Sequence, residues 1–433
     1  MAGLIFNNKN SLVRSTDFEK TKRKTILELN KIKEAVGKKQ EWYKALNLPN
    51  EKKIIEQVTE LVKQKQTLNI SAIVIIGIGG SILGTQAIYE SLRGKLHNET
   101  QKIKVLFIDT VDTDSMYNSL KIIEILLKSE KNIIINAISE SGTTTETIAN
   151  FEIFLELLKK HRKDYQKYVV VTTKKDNKLY QFASKNNFSI LEVENAISGR
   201  YSVFSPVGLF PLIFLGIDVK KVLKGASNMN ELCFKEISKN PAAQGAIDLY
   251  CNYKEGKYIH DLFIFSNDLE SLGKWYRQLI AESLGKKYNL KDYKVEEGIT
   301  PTVSIGSTDL HSMGQLYLSG PRNRFITFVN VSPINKIKIP KEKEFNELVE
   351  GLQGKSMHEI MNAIYNGTKL AFIKSKRPFN QINITKNEYD LGQYMQYEML
   401  KVVILAHLLN INPFNQPNVE EYKQETRNIL KNK

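Results

Sequence analysis

The spacing of apolar residues changes near residue 65. Before it, apolar side chains recur every three to four positions among Lys and Glu, which predicts helices over 18–36 and 52–64. After it, short apolar runs rich in β-branched residues alternate with helical stretches. The runs are 72–76 (AIVII), 105–108 (VLFI), 133–138 (IIINAI), 168–172 (YVVVT) and 188–193 (FSILEV). Unbroken apolar strands separated by helices indicate a parallel sheet covered on both faces. A helical, Gly- and Pro-containing stretch over 205–224 leads to a second series: 262–265 (LFIF), 301–305 (PTVSI), 325–331 (FITFVNV), 370–373 (LAFI) and 382–384 (INI). A long helix over 388–409, the turn NINPFNQPN and a last helix over 419–430 follow. The pattern reads as α/β in three parts. N-terminal helices over 1–65 pack on the larger domain, a first α/β domain spans 66–204, and a second spans 205–433 with the terminal helices packed on it.

Composition narrows the class. With 42% hydrophobic and 25% charged residues, the 433-residue chain is globular rather than disordered. No apolar run approaches the about 20 residues of a membrane span; the longest candidate, 402–409, is interrupted by His407. A basic leader followed by an apolar stretch is missing from MAGLIFNNKN, and only Cys233 and Cys251 are present, so a reducing, cytoplasmic setting is expected. The formal charge of +15 comes from 62 basic against 47 acidic residues, and 52 of the basic ones are Lys. Base reading and planar phosphate clamping lean on Arg, and the lysines are scattered beside Glu, so nucleic acid is not an expected partner. The charge suits solubility and attraction of small anionic substrates.

Ligands of open parallel sheets bind beyond the carboxyl ends of strands. Three such ends stand out. Gly77–Gly84 follows AIVII, where glycines admit close approach and helix-start amides favour an anion. It is neither a Walker loop nor a dinucleotide fingerprint, since no Gly-Lys-Ser/Thr follows and position 82 is Ile; a tight turn is the plainer reading. Residues 139–147 (SESGTTTET) carry five hydroxyls between 139 and 145 at a helix start, which suits a phosphate monoester. Thr143-x-x-Glu146 also reads as a capping box, which explains only two of these residues. The third end, GSTDLH, puts His311 in the first turn of a helix, where the dipole disfavours imidazolium.

Glu282 falls at the margin of the apolar stripe of a helix over 272–285; the alternative is an exposed pair with Lys286. Arg200 follows Gly199 at a strand-to-helix junction, and Lys423 is one lysine among many. The six histidines are far apart and no His or Cys pair has chelating spacing, so no metal and no redox cofactor is expected. On the residues alone, this is a two-domain α/β enzyme with a small phosphorylated ligand.

Six segments in order, IGIGGSILGTQA, ISESGTTTETI, GRYSVFSPVGLFPL, QLIAESLGK, GSTDLHSMGQ and NPFNQPNVEEYK, resemble the glucose-6-phosphate isomerase family in its shorter bacterial type. The resemblance implies two sugar-isomerase (SIS) α/β domains, each a three-layer sandwich, and a cytoplasmic homodimer with active sites at the subunit interface. It implies Glu282 as the base moving a proton between C1 and C2. His311, from the neighbouring subunit, and Lys423 would open the sugar ring, and Arg200 would stabilise the enediol. Ser139, Ser141 and Thr144 match phosphate-binding positions, Gly80 and Ser81 the sugar-side loop, and Gln278 and Gln416 substrate-contacting glutamines. Glu140 departs from the family pattern, which has Lys there; a carboxylate repels a phosphate unless it turns away or pairs with a nearby Lys. Two alternatives stay open: a non-catalytic sugar-phosphate-binding protein of the same fold, and a bifunctional isomerase that also takes mannose 6-phosphate.

Overall fold

The computed structural model describes residues 3–431. A short strand, β1 (Ile5–Asn7), and the helices Ser15–Gly37 and Lys52–Gln66 precede the first complete sheet. That sheet is made of β2 (Ile70–Ile76), β3 (Lys104–Ile108), β4 (Asn132–Ser139), β5 (Val169–Lys174) and β6 (Ser189–Val193). All five are parallel, in the order β3-β2-β4-β5-β6. Ile73 to Ile76, Ile133 to Ile135 and Val169 to Val171 are wholly buried, which is why these strands read as unbroken apolar runs. The helices Thr113–Lys128, Thr145–His161 and Lys178–Lys185 pack on the sheet. Strand order reverses between β2 and β4, so the loops leaving those two strands border the crevice where such sheets take ligands.

The second half begins with β7 (Ile259–Phe265), followed by a hairpin of β8 (Lys286–Tyr288) and β9 (Lys294–Glu297). Then come β10 (Thr300–Ile305), β11 (Arg324–Ser332) and β12 (Phe379–Thr385). The sheet order is β1-β12-β11-β7-β10, parallel except for β1, which runs antiparallel on the edge beside β12. Its centre is aromatic: Phe263, Phe265, Phe328, Tyr365, Phe372 and Phe379 form one cluster.

The helix Glu388–Leu409 is buried almost all round, between the helices Val219–Cys233 and Pro241–Lys254. Its Glu398 and Lys401 pair at 2.6 Å, with both side chains nearly inaccessible, so each offsets the other's desolvation. Helix Ser15–Gly37 packs on Pro241–Lys254 and Glu388–Leu409. The final helix, Val419–Lys431, buries no residue. Its Arg427 lines a cavity of about 760 Å³ together with residues of Thr145–His161 and Lys178–Lys185.

One expectation is corrected. Residues 370–373 are not a strand but the last turns of the helix Met357–Lys374. A capping box of Ser356 and Glu359 starts that helix, and Tyr365 and Phe372, seven apart, bury one face of it. The edge strand β1 was not foreseen, because none of its residues is buried and no alternation marks it.

Candidate active site

Arg200 organises the crevice. It sits in the single 3-10 turn Gly199–Tyr201, after β6, and its side chain is fully buried. Nε donates to Ser283 Oγ at 2.8 Å. Nη1 donates to Glu282 Oε2 at 3.2 Å and to Gln416 Oε1 at 2.7 Å. Nη2 donates to the carbonyls of Pro413 at 2.6 Å and Asn415 at 3.3 Å. All five N–H groups are used, on two segments remote from each other in sequence, 282–283 and 413–416. Trp275 Nε1 donates to the Arg200 carbonyl at 3.3 Å and closes the far side.

Glu282 and Gln278 lie one turn apart on the helix Glu270–Leu284. Gln278 Nε2 donates to Glu282 Oε1 at 3.0 Å, so each carboxylate oxygen has a different partner. The alternative, a Glu282–Lys286 side-chain pair, does not form. Lys286 Nζ reaches instead to the carbonyl of Glu282 and, at 2.9 Å, to that of Asn415. Burial, then the neighbouring Arg200 charge, pushes its pKa down to about 7. Arg200 and Lys286 thus hold one turn, Pro413 to Gln416, from two sides.

The loop after β2 closes on this assembly. A Cβ on Gly80 would lie 2.0 Å from the Gly199 carbonyl carbon and 2.4 Å from Arg200 N, so only glycine lets the two loops touch. Ser202 Oγ donates to the Gly80 carbonyl at 3.3 Å. Ser81 ends the 3-10 turn Gly79–Ser81. Two buried polar atoms here have no partner among the described residues, Gln278 Oε1 and Ser198 Oγ. Such atoms are costly unless a ligand or water meets them.

The hydroxyl loop follows β4, the next strand in the sheet. Thr144 Oγ1 lies 3.0 Å from Ser139 Oγ and 3.3 Å from Ser141 Oγ. Gly142 N donates to Ser139 Oγ at 3.1 Å, and Gly142 takes φ +69°, a left-handed conformation natural to glycine. The expected capping box is absent: Thr144 is the N-cap of Thr145–His161 and makes no side-chain cap bond, because the hydroxyls bond one another instead. Glu140 is paired with Lys174 at 2.8 Å, which answers the departure at that position.

Arg200, Glu282, Gln278, Gln416 and Gly80 therefore meet, with Ser139, Ser141 and Thr144 grouped at the neighbouring strand end. His311 and Lys423 are not joined to them within the chain. His311 lies exposed just past a 3-10 turn, Thr308–Leu310, and the next helix starts only at Gly314, so the helix-dipole argument does not apply to it. Lys423 Nζ bonds Glu420 at 2.6 Å on the final helix. Ser283 and the 413 and 415 carbonyls escaped sequence reading, and Lys286 entered it only as a side-chain partner of Glu282, since contacts to backbone acceptors carry no distinctive pattern. Among the described residues no three His, Cys, Asp or Glu gather to hold a metal. The arrangement puts a carboxylate against a fixed cation, beside orphaned polar atoms and one strand from a set of hydroxyl donors. That suits moving a proton next to a carbon bearing developing negative charge.

A model of the family described as phosphoglucose isomerase matches residues 45–433. The glucose-6-phosphate isomerase of Methanocaldococcus jannaschii is 34% identical over 86% of this chain and 87% of its own length. That of Mycoplasmopsis synoviae is 32% identical over 97% of this chain and 96% of its own. Among solved structures, a hypothetical protein from Thermus thermophilus superposes with TM-score 0.86 at 27% identity, covering 99% of both chains. A glucose-6-phosphate isomerase from Chlamydia trachomatis gives 0.77 at 20% identity over 88% of this chain and 73% of that one.

Proposed function

The chain belongs to the phosphoglucose isomerase family, and from that premise we propose that it interconverts glucose 6-phosphate and fructose 6-phosphate through an enediol, with Glu282 as the base. Single-substrate isomerisation needs a proton taken from the carbon beside a carbonyl and returned to its neighbour. The observation that carries the reading is the Glu282–Arg200 pair at 3.2 Å, set among Gln278, Gln416 and the Gly80 loop.

Glu282 removes the proton from C2 and delivers it to C1. Arg200 has no free N–H, so it acts on the enediolate through its fixed charge in a low-dielectric surround. Gln278 Oε1 and Ser198 Oγ, without a partner among the described residues, are suited to sugar hydroxyls. Ser139, Ser141 and Thr144 take the phosphate, whose binding energy, remote from the reacting carbons, positions them. The closed sugar has no carbonyl, so ring opening comes first and falls to His311 and Lys423.

His311, exposed and apart, completes the site of a second copy in a homodimer. Large apolar side chains at Ile334, Ile337, Phe345 and Leu348, all more than half exposed, support such a partner. Two free, buried cysteines support a reducing, cytoplasmic setting. The test is a linked-enzyme assay of fructose 6-phosphate formation with a chelator present. Turnover undiminished by the chelator is expected; no product would overturn the reading.

A further inference from the structure

We propose that Lys174 is the cation that receives the substrate's phosphate, held ready by Glu140 at the mouth of the hydroxyl loop. The inference rests on the sugar-phosphate reading of that loop and names a residue which the motifs do not.

The sheet itself sets the geometry. Ser139 is in register with Thr173 on neighbouring parallel strands, so residues 140 and 174 emerge side by side from β4 and β5. Thr173 Oγ1 donates to the Ser139 carbonyl at 2.6 Å. Asn177 Nδ2 donates to Thr173 Oγ1 at 2.7 Å and to the Glu140 carbonyl at 3.2 Å, while Asn177 Oδ1 caps the next helix by accepting from Tyr180 N at 2.9 Å. Strand ends, loop and helix cap are one braced unit. On it Lys174 and Glu140 pair at 2.8 Å, with side chains 22% and 35% exposed, drawn partly out of water.

Charge decides the role. A phosphate monoester carries about −1.5 to −2 at neutral pH. The loop meets it with neutral hydroxyls, backbone N–H groups and one carboxylate, Glu140, set between Ser139 and Ser141. Alone, that carboxylate repels the ligand; with Lys174 the local charge is balanced. An ammonium has three donors, and Glu140 needs only one, leaving two for phosphate oxygens. Glu140 therefore lowers the affinity while fixing the direction of the lysine.

This predicts effects of opposite sign at two touching residues. Lys174→Met should raise KM for glucose 6-phosphate about tenfold or more and lower kcat much less, and Lys174→Arg should largely restore KM. Glu140→Gln, which leaves the ammonium unneutralised, should lower KM several-fold. The inhibition constant of inorganic phosphate, as a probe of charge alone, should move in the same two directions, with melting temperatures recorded for every variant. If Glu140→Gln raises KM as Lys174→Met does, the pair is only a brace and the proposal fails. If Lys174→Met leaves KM unchanged while Thr144→Val raises it, the proposal fails but the phosphate loop stands. If neither changes KM, both fall.

Discussion

The carboxylate of Glu282 meets Arg200 with one oxygen and Gln278 with the other, so its position is set before any sugar arrives. Replacing it by the amide of equal shape removes the proposed base and the charge facing Arg200 while keeping an oxygen for the guanidinium. Glu282→Gln is expected to lower kcat by about 10²- to 10⁴-fold, the usual worth of a general base, with KM and melting temperature nearly unchanged. Normal turnover in steady-state kinetics would remove Glu282 from the mechanism. Lys286 makes a different prediction, about stability. Its pKa in the fold is about 7, against about 10.4 for a free lysine. Between these values the unfolded chain binds more protons, so this lysine makes stability rise with pH, by up to about 1.4 kcal/mol per unit. At pH 7 the folded state has lost about half the proton and the slope is about half its maximum; well below pH 7 both states hold the proton and the slope vanishes. Urea unfolding of Lys286→Met from pH 7 to 10 should lack that rise; curves parallel to those of the parent would refute it.

At the scale of elements, strands buried on both faces were the most readable. AIVII and IIINAI are short, β-branched, wholly or nearly wholly buried runs, the pattern of an interior strand. LAFI was misread because four apolar residues fit either a strand or one flank of a helix, and the deciding signal lies fourteen residues earlier, at Ser356. The site was readable where a motif concentrates it: Glu282 with Gln278, Arg200 after Gly199, and the hydroxyls after β4. It was unreadable where contact comes from backbone, as with Pro413 and Asn415, or from pairing across strands, as with Lys174. Gly80 is where two loops are pressed together. Gly80→Ala must part them and is expected to cost about 1–3 kcal/mol, as overpacking does, and to lower kcat/KM sharply. Thermal melts and kinetics on the same preparation check both, and a variant with parental activity would show that the contact is not needed.

For the whole molecule the test falls on His311, which, like Lys423, is not joined to Glu282 and Arg200 within one chain. If it serves a neighbour, two inactive variants can rescue each other. A hybrid dimer of Glu282→Gln and His311→Ala chains has one intact site, and random mixing makes half of all dimers hybrids, so about one quarter of parental activity should return. Mixing, refolding and assaying the two tests this; no recovery would mean that each site draws on a single chain. The five-armed grip of Arg200 has a further result, for biosynthesis. Its carbonyl and amide acceptors follow it by 213 to 216 residues. At ribosomal rates of about 5–20 residues per second, that guanidinium waits roughly 10–40 seconds for them. Glu282 and Ser283 are made earlier, but the remaining N–H groups cannot be buried without acceptors, so the site is completed only when the 413–416 turn docks.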